Sequence, residues 1–209
     1  MSVVVAVKKD GVVYMGADSQ VTRGGTRVSL SNPNNYKVWK VKGCEHCLMG
    51  HVGSLRDACV IKLLNNIVRE LDVLHDSVNF EFVVNRVVPL LIDELMARRY
   101  LSSSGKLEFS DSRFLFAYKD RLYVIGSDFS VIEVDDCVAI GSGESEAIGS
   151  LLTTSYESNP IVRIIKAIKS SAAHDIYVDY PIILSDTNKA EFTVLTENNV
   201  NDYIKDSLM

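Results

Sequence analysis

The second residue of the sequence could carry out nucleophilic chemistry. The sequence begins Met1-Ser2, and a small residue after an initiator methionine normally leads to removal of that methionine. Removal would leave Ser2 with a hydroxyl group and a free α-amine on the same residue. An α-amine has a pKa of about 7.7–8.0, so it can take the proton from its own hydroxyl without a histidine. We therefore expect Ser2 to be a nucleophile whose base is its own amine.

Such a nucleophile needs three supporting groups, and the sequence offers one candidate for each. A buried cation lowers the pKa of the amine, a carboxylate holds the cation, and a backbone N–H binds the developing oxyanion. Lys37, Asp18 and Gly53 are the candidates in that order. Taken singly, each has a plainer interpretation: a solvated strand lysine, a turn residue at a strand end, and a tight turn. Their combination and order favour the catalytic interpretation.

The first hairpin positions two of these residues. Asp10-Gly11 separates two β-rich runs, and this dipeptide is typical of a two-residue type I′ turn. In the register that this turn sets, Asp18 lies opposite Val3. Asp18 is then a diagonal neighbour of Ser2 across the two strands.

Three other motifs contain residues that could carry out chemistry, but each matches the spacing of a known site only in part. Cys44-Glu45-His46-Cys47 has zinc-ligand residue types without a second cluster, so a turn is the alternative interpretation. Ser102–Lys106 resembles a phosphate loop but lacks its upstream glycine and its Ser or Thr after the lysine. Gly141–Ser145 does not have the G-x-S-x-G pattern of a nucleophile elbow. The four histidines share no motif.

Composition excludes several classes of protein. The 209 residues are 47% hydrophobic and carry a net charge of −5, so no excess of basic residues is present to neutralise phosphates. No segment approaches the roughly 20 apolar residues of a membrane span, and the start does not resemble a signal peptide. Four scattered cysteines do not form a disulfide scaffold. We expect a cytoplasmic protein that binds neither nucleic acid nor membrane.

The order of elements predicts an α+β fold. Residues 3–7 are all apolar, as in a strand buried on both faces. Apolar spacing predicts one helix from a capping box at Ser54 and Asp57 through Leu74, and a second over Asp76–Arg99 that Pro89 should kink or break. Antiparallel strands follow, then two helices, the second capped by Asn159-Pro160. Two helix pairs around hairpin-built strands indicate a layered sandwich in one domain, residues 1–209.

Several segments together resemble the HslV (ClpQ-type) peptidases and proteasome β-subunits. The start, Val3–Val7 with Gly16-Ala17-Asp18, is similar to the first hairpin of that family. Asn35–Val38 resembles its catalytic-lysine strand, and Gly50–Asp57 its oxyanion glycine segment. Ala139–Gly143 and Ala173–Ile176 are similar to two further segments that support the family's site. The resemblance extends from residue 2 to about residue 195.

The resemblance implies a fold and a set of roles. The fold would be the four-layer αββα sandwich of N-terminal-nucleophile hydrolases. Ser2 would be the nucleophile, Lys37 would tune its amine, Asp18 and Asp175 would orient the charges, Gly53 would form the oxyanion hole and Ser142 would support the amine. No cofactor would be required. Backbone carbonyls of His174, Tyr177 and Tyr180 could hold a structural Na⁺.

The resemblance also implies partners. The chain would be a threonine-type peptidase subunit in a homo-oligomeric ring that acts on peptides or unfolded proteins, with an ATP-dependent unfoldase as a possible partner. Two alternatives stay open: an N-terminal-nucleophile amidohydrolase that is not a peptidase, and a catalytically inactive structural ring subunit.

The sequence departs from the family at identifiable positions. The family nucleophile is threonine, whereas this chain has Ser2, which lacks the methyl group that stiffens the side-chain torsion. Val178 stands where many proteasome β-subunits carry a serine. The segment Gly43–Cys47 is about one residue longer than in HslV.

Overall fold

The computed structural model describes residues 2–28, 32–65, 67–74, 76–98, 111–189 and 191–207. Met1, His75 and the candidate phosphate loop Ser102–Lys106 lie outside the described residues. The strands are β1 (Val3–Lys9), β2 (Val12–Ala17), β3 (Val21–Arg23), β4 (Thr26–Val28), β5 (Val38–Lys40), β6 (Cys47–Val52), β7 (Arg113–Tyr118), β8 (Arg121–Ile125), β9 (Val131–Glu133), β10 (Cys137–Gly141), β11 (Ile182–Asp186) and β12 (Thr193–Leu195).

The helices lie between and after these strands. They are α1 (Leu55–Ile61), α2 (Glu70–Leu74), α3 (Phe80–Phe82), α4 (Val88–Ala97), α5 (Glu144–Thr153), α6 (Pro160–His174) and α7 (Val200–Asp206), with a π-helical turn over Val83–Val87. The predicted cap of α6 is confirmed, because the Asn159 Oδ1 accepts the N–H of Ile161 at 2.9 Å.

The β1–β2 hairpin has the predicted register. Asp10 and Gly11 both have positive φ, 51° and 76°, as a type I′ turn requires. The N–H of Asp18 donates to the carbonyl oxygen of Val3 at 3.3 Å, which confirms that these two residues are opposite each other. A local turn signal thus fixes the position of Asp18 relative to the chain start.

The molecule has four layers, as expected. One antiparallel sheet has the order β10-β1-β2-β11-β12, and the other has the order β5-β6-β7-β8-β9. Alternate residues of β1 serve two cores: Val3 and Val5 pack among residues of α5 and α6, whereas Val4 and Ala6 pack against the second sheet. Helices α1 and α4 cover the outer face of the second sheet. The result is the αββα sandwich.

The helix predicted from Ser54 to Leu74 is wrong in extent. Helix α1 ends at Ile61, and α2 covers only Glu70–Leu74. Between them Asn65 forms a parallel bridge with Lys42, a long-range pairing that takes the backbone away from helical geometry. The capping box is also not formed as predicted, since the Ser54 side chain makes no cap hydrogen bond.

The second predicted helix continues through Pro89, but it begins later than predicted. Asp76 has a φ of 47°, which is incompatible with a right-handed helix, and Asn79 caps the start through its Oδ1 and the N–H of Phe82 at 3.0 Å. The π-helical turn Val83–Val87 directly precedes α4, whose second residue is Pro89. A proline lacks an N–H and crowds the carbonyl four residues earlier, and the wider turn accommodates both defects.

The closeness of the two sheets predicts a contrast between two glycines. A Cβ on Gly50 of β6 would lie 2.7 Å from Cγ1 of Val4 and 2.9 Å from Sδ of Met15, whereas a Cβ on Gly149 in α5 meets nothing within 4 Å. We expect Gly50→Ala to lower the free energy of unfolding by about 1–3 kcal/mol through overpacking. Gly149→Ala should raise it by up to about 1 kcal/mol through helix propensity.

Urea denaturation of the two variants and the parent protein measures this contrast. Equal midpoints for Gly50→Ala and the parent would contradict close packing of the two sheets at Gly50.

Candidate active site

The backbone of Ser2 is held by the turn between β10 and α5. Its N–H donates to the Ser142 Oγ at 2.9 Å, and its carbonyl oxygen accepts the N–H of Gly143 at 3.3 Å. The Ser142 hydroxyl also donates to the Ser2 carbonyl at 3.4 Å. Ser2 itself is buried, with 5% of its surface exposed. The nitrogen of the predicted nucleophile is therefore fixed next to the residue predicted to support it.

Gly141 makes this close approach possible. Its φ is +119°, and a Cβ there would lie 2.0 Å from the Ser2 carbonyl oxygen. Only glycine can occupy this position without displacing the chain start. The Ser171 hydroxyl of α6 donates to the carbonyl of Gly143 at 2.7 Å, which fastens the turn to the helix layer.

Asp18 and Lys37 form a buried ion pair close to Ser2. The Lys37 Nζ lies 2.7 Å from the Asp18 Oδ2 and donates to the Gln20 carbonyl oxygen at 2.7 Å. The two Asp18 oxygens also accept backbone N–H groups, Oδ1 from Val3 and Oδ2 from Gln20, each at 2.9 Å. Every oxygen of this carboxylate thus has a donor, as a buried charge requires.

The surroundings shift the pKa of the lysine. Burial lowers the pKa of Lys37 from its usual 10.5, and the negative charges of Asp18 and, less strongly, Asp175 oppose that shift. Lys37 is thus a cation that is held by its partner but is easier to deprotonate than a solvated lysine. A positive charge at this point favours the neutral form of a nearby amine.

Gly53 and Ser2 line the same cavity. The cavity has a volume of about 190 Å³ and is lined by Ser2, Gln20, Val21, Thr22, Lys37, His51, Gly53 and Leu55. Gly53 has a φ of +109°, and a Cβ there would lie 2.5 Å from the Asp111 carbonyl oxygen. A second cleft, lined by residues including Arg113 and Ser142, meets the first at Gly53.

His51 is a cavity residue that the sequence motifs missed. Its ring packs against Phe114 with centroids 5.1 Å apart, and its Nε2 lies 3.4 Å from the Ser112 Oγ. Burial, with the nearby charges of Lys62 and Lys37, lowers its pKa to about 3. The imidazole is therefore neutral at physiological pH. Its place on β6, two residues before Gly53, is the signal that could have identified it.

Gln20 was also missed, although it connects three parts of the site. Its N–H contacts Asp18 and its carbonyl oxygen contacts Lys37, as described above. Its side-chain Nε2 donates to the carbonyl of Ile176 at 2.9 Å. This last bond ties the loop after α6 to the end of the first hairpin. The hairpin register could have placed Gln20 beside Asp18, but its contact with the loop is a tertiary one.

Asp175 lies near the ion pair but does not join it. It caps the C-terminal end of α6, and its Oδ1 accepts the N–H of Tyr177 at 2.8 Å. Among the described residues its Oδ2 is buried without a hydrogen-bond partner. Lys37 feels the charge of Asp175, but the ion pair of that lysine within these ranges is with Asp18.

The suggested cation site falls in the loop between α6 and β11. His174 ends α6, and Tyr177 and Tyr180 follow before the strand begins. Backbone carbonyls are oxygen donors of the kind that hard cations take, so the residues fit such an ion in chemical type. The Na⁺ site stays a prediction.

The described ranges contain neither a side-chain cluster for a metal ion nor a helix that could span a membrane. No group of three or more His, Cys, Asp or Glu residues there is arranged to hold a metal ion. Within the same ranges, every helix is too short or too polar to cross a bilayer.

Comparison with known structures gives the same fold. BPH from Thiobacillus denitrificans, solved in complex with epoxomicin, is 20% identical with a TM-score of 0.67, covering 93% of this chain and 99% of its own. HslV from Trypanosoma brucei is 18% identical with a TM-score of 0.61, covering 88% and 98%. Anbu, described as an ancestral beta-subunit, from Yersinia bercovieri is 14% identical with a TM-score of 0.68, covering 99% and 92%.

Sequence comparison identifies the family. Curated protein sequences return no significant match. The family described as proteasome subunit matches residues 2–177, which is most of the chain and includes each of the predicted catalytic residues. With its four-layer fold, the chain therefore belongs to the proteasome subunit family.

Proposed function

We propose that this chain is a peptidase subunit in which Ser2, freed by cleavage of the Met1–Ser2 bond, is the nucleophile. One observation carries the proposal: the Ser2 nitrogen is fixed 2.9 Å from the Ser142 Oγ, at a cavity that Lys37 and Gly53 also line. Cleavage converts this nitrogen from an amide into an amine. The same hydrogen bond to the Ser142 Oγ then holds the amine in position.

The acylation step uses only groups of this chain and a peptide substrate. The Ser2 amine takes the hydroxyl proton as Oγ attacks the carbonyl carbon of the peptide bond. The carbonyl oxygen becomes an oxyanion, which the Gly53 N–H stabilises. Collapse of this intermediate breaks the C–N bond, and the ammonium returns its proton to the leaving amine. The product is an ester between Ser2 and the acyl part of the substrate.

Deacylation repeats these steps with water. The amine removes a proton from a water molecule, which attacks the ester, and Ser2 Oγ leaves with that proton. Lys37 supports both half-reactions, because its charge keeps the amine in its basic form near neutral pH. Asp18 holds Lys37 in place, and Ser142 orients the amine.

The relatives support a peptide substrate. BPH from Thiobacillus denitrificans is solved with epoxomicin bound, and HslV from Trypanosoma brucei has the same fold. We extend the substrate class to peptides and unfolded proteins. We also propose that the protein acts in the cytoplasm. A serine in place of threonine keeps both reacting groups and loses only the methyl group that restricts rotation about χ1.

Enclosure in a homo-oligomeric ring would restrict access to the nucleophile. Phe80 and Val84 are one helical turn apart and are 42% and 38% exposed in this single chain. Residues four apart share a helix face, so together they present an apolar surface for a second copy of the chain. An ATP-dependent unfoldase would then deliver substrates to the interior.

Replacement of Ser2 tests the nucleophile. We expect Ser2→Ala to abolish peptide hydrolysis because no Oγ is present, and Ser2→Thr to retain it because the amine and the hydroxyl both remain. Intact mass should show that the active protein lacks Met1. Mass spectrometry after epoxomicin treatment should show an adduct on the parent protein and none on Ser2→Ala.

Ser145→Ala is the matched control, since Ser145 is an exposed serine of α5 outside the cavity. Hydrolysis by Ser2→Ala at the parent rate would contradict the proposal, as would an active protein that retains Met1.

Replacement of Lys37 tests its electrostatic role. We expect Lys37→Ala to reduce kcat by more than tenfold, worth about 1.4 kcal/mol or more, because the amine then becomes protonated near neutral pH. The same change leaves the buried Asp18 without its cation, which destabilises the fold by about 3–5 kcal/mol. Stability and activity must therefore be measured together.

The double variant Asp18→Asn/Lys37→Met separates the two effects. It leaves neither member of the ion pair as a lone buried charge, so its thermal unfolding should recover toward that of the parent while its peptidase activity stays low. Recovery of activity along with stability would show that Lys37 has only a structural role.

Native mass measurement tests the ring. We expect the parent protein to form a homo-oligomer, and Phe80→Glu/Val84→Glu to shift it toward smaller species by burying charge at the contact. Ile132→Glu on β9, where Ile132 is 60% exposed, is the matched control. A stable 23.2 kDa monomer active on unfolded protein would refute enclosure.

A further inference from the structure

Two cysteines flank a turn at the end of the connection between β5 and β6. Glu45 and His46 are its central residues, with Cys44 before and Cys47 after them. The ends of a four-residue turn have Cα atoms within about 7 Å, which matches the separation that a disulfide spans. Both cysteines are thiols in the structure and both are buried. The turn thus places two thiols within bonding reach of each other.

The two sulfur atoms have unequal environments. A hydrogen bond from Cys47 lowers the pKa of the Cys44 thiol, and the charge of Lys40 acts in the same direction. Burial raises the pKa of the Cys47 thiol well above its usual value. This asymmetry is that of an attacking thiol beside a thiol that stays protonated until it is needed.

Of the two thiols at this turn, Cys44 is the one that a small reagent can reach. It lines a cavity of about 330 Å³ together with Gly43, His46, Glu70 and Val73. Cys47 is fully buried and takes no part in lining this cavity. A reagent that enters the cavity therefore reaches Cys44 first.

The turn is held by contacts with residues that directly follow β7 and β11. The His46 Nδ1 lies 3.1 Å from the carbonyl oxygen of Thr187, and the Lys119 N–H donates to the carbonyl of His46 at 3.0 Å. The Thr187 hydroxyl donates to the Lys119 carbonyl at 2.7 Å. A bond between the two sulfur atoms can thus form on a backbone that is already in place.

We propose that Cys44 and Cys47 are a thiol–disulfide exchange site that reacts with low-molecular-weight disulfides. The Cys44 thiolate attacks one sulfur of the disulfide, which forms a mixed disulfide and releases one thiolate. Cys47 then loses its proton and attacks the Cys44 sulfur, which releases the second thiolate. The protein loses two electrons and two protons, and the reagent gains them as two thiols.

This site is separate from the proposed peptidase centre. Strand β6 runs from Cys47 to Val52, and Gly53 follows it, so about 20 Å of extended chain separates the two ends. The exchange reaction involves no residue of the Ser2 cavity. Its failure and failure of the proposed function can therefore be distinguished.

Titration of the full-length protein against mixtures of reduced and oxidised glutathione tests the proposal. Free thiols are alkylated after acid quenching, and peptides are identified by mass spectrometry. We expect a Cys44–Cys47 disulfide that titrates as one two-electron transition and that persists in the Cys59→Ser/Cys137→Ser variant. Cys47→Ser should trap one glutathione on Cys44, and Cys44→Ser should leave Cys47 reduced.

Three results would overturn the proposal. They are alkylation of both Cys44 and Cys47 in fully oxidised glutathione, glutathione on Cys44 of the parent without any disulfide, and no trapped adduct on Cys47→Ser. If a cysteine variant does not fold, the titration of the parent protein alone decides the question.

Discussion

The buried ion pair of Asp18 and Lys37 is the interaction on which the site depends. Asp18 follows β2 in the first sheet, and Lys37 precedes β5 in the second, so the 2.7 Å contact joins the two sheets at one end of the sandwich. Removing two charges from water is costly, and the geometry must compensate for it. Here it does so through backbone N–H groups on the carboxylate and the Gln20 carbonyl on the ammonium. The pair therefore requires the chain start, the hairpin end and both sheets to be in position together.

Glycines at the close approaches allow the remaining groups to converge on this pair. Gly141 lets the β10–α5 turn approach the Ser2 carbonyl, and Gly53 lets the end of β6 approach the backbone of Asp111. A Cβ would lie 2.5 Å from the Asp111 carbonyl oxygen at Gly53 and 2.0 Å from the Ser2 carbonyl oxygen at Gly141, so a side chain at either position would push backbone groups apart. Catalytic geometry of this kind tolerates little displacement, because a misplacement of about 1 Å can cost 100-fold in rate. The placement of glycine is thus as specific a requirement as the placement of the reacting side chains.

The β5–β6 hairpin carries two kinds of chemistry at its opposite ends. Lys37 and Gly53 lie at the open end beside Ser2, and Cys44 and Cys47 lie at the turn. Strand β6 lies between β5 and β7 in the sheet, with Leu48 in the core between the two sheets. A rigid strand pair of this kind keeps the charge of Lys37 away from the thiols, whose nearby cation is Lys40. The two sites can therefore be perturbed independently.

The sequence by itself determined the features that depend on local geometry. The Asp10-Gly11 turn set the register that brings Asp18 to Val3, the apolar run of β1 indicated burial on both faces, and Asn159 marked the start of α6. Each is a short-range signal, in which backbone torsions or a cap fix the result within a few residues. Ser2, Asp18, Lys37 and Gly53 could also be nominated, because their residue types and order along the chain resembled a known family pattern.

Tertiary structure alone decided the features that depend on distant partners. Asn65 leaves the predicted helix because it pairs with Lys42. Gln20 connects the first hairpin to the loop after α6 through its hydrogen bond to Ile176. His51 stays neutral because it is buried and because Lys37 and Lys62, from separate segments of the chain, lie nearby. Asp175 lies near Lys37 without contacting it, a distinction that spacing along the chain does not encode. For Asn65, Gln20 and His51 the deciding energy comes from long-range contacts, which no periodicity or motif in the sequence contains.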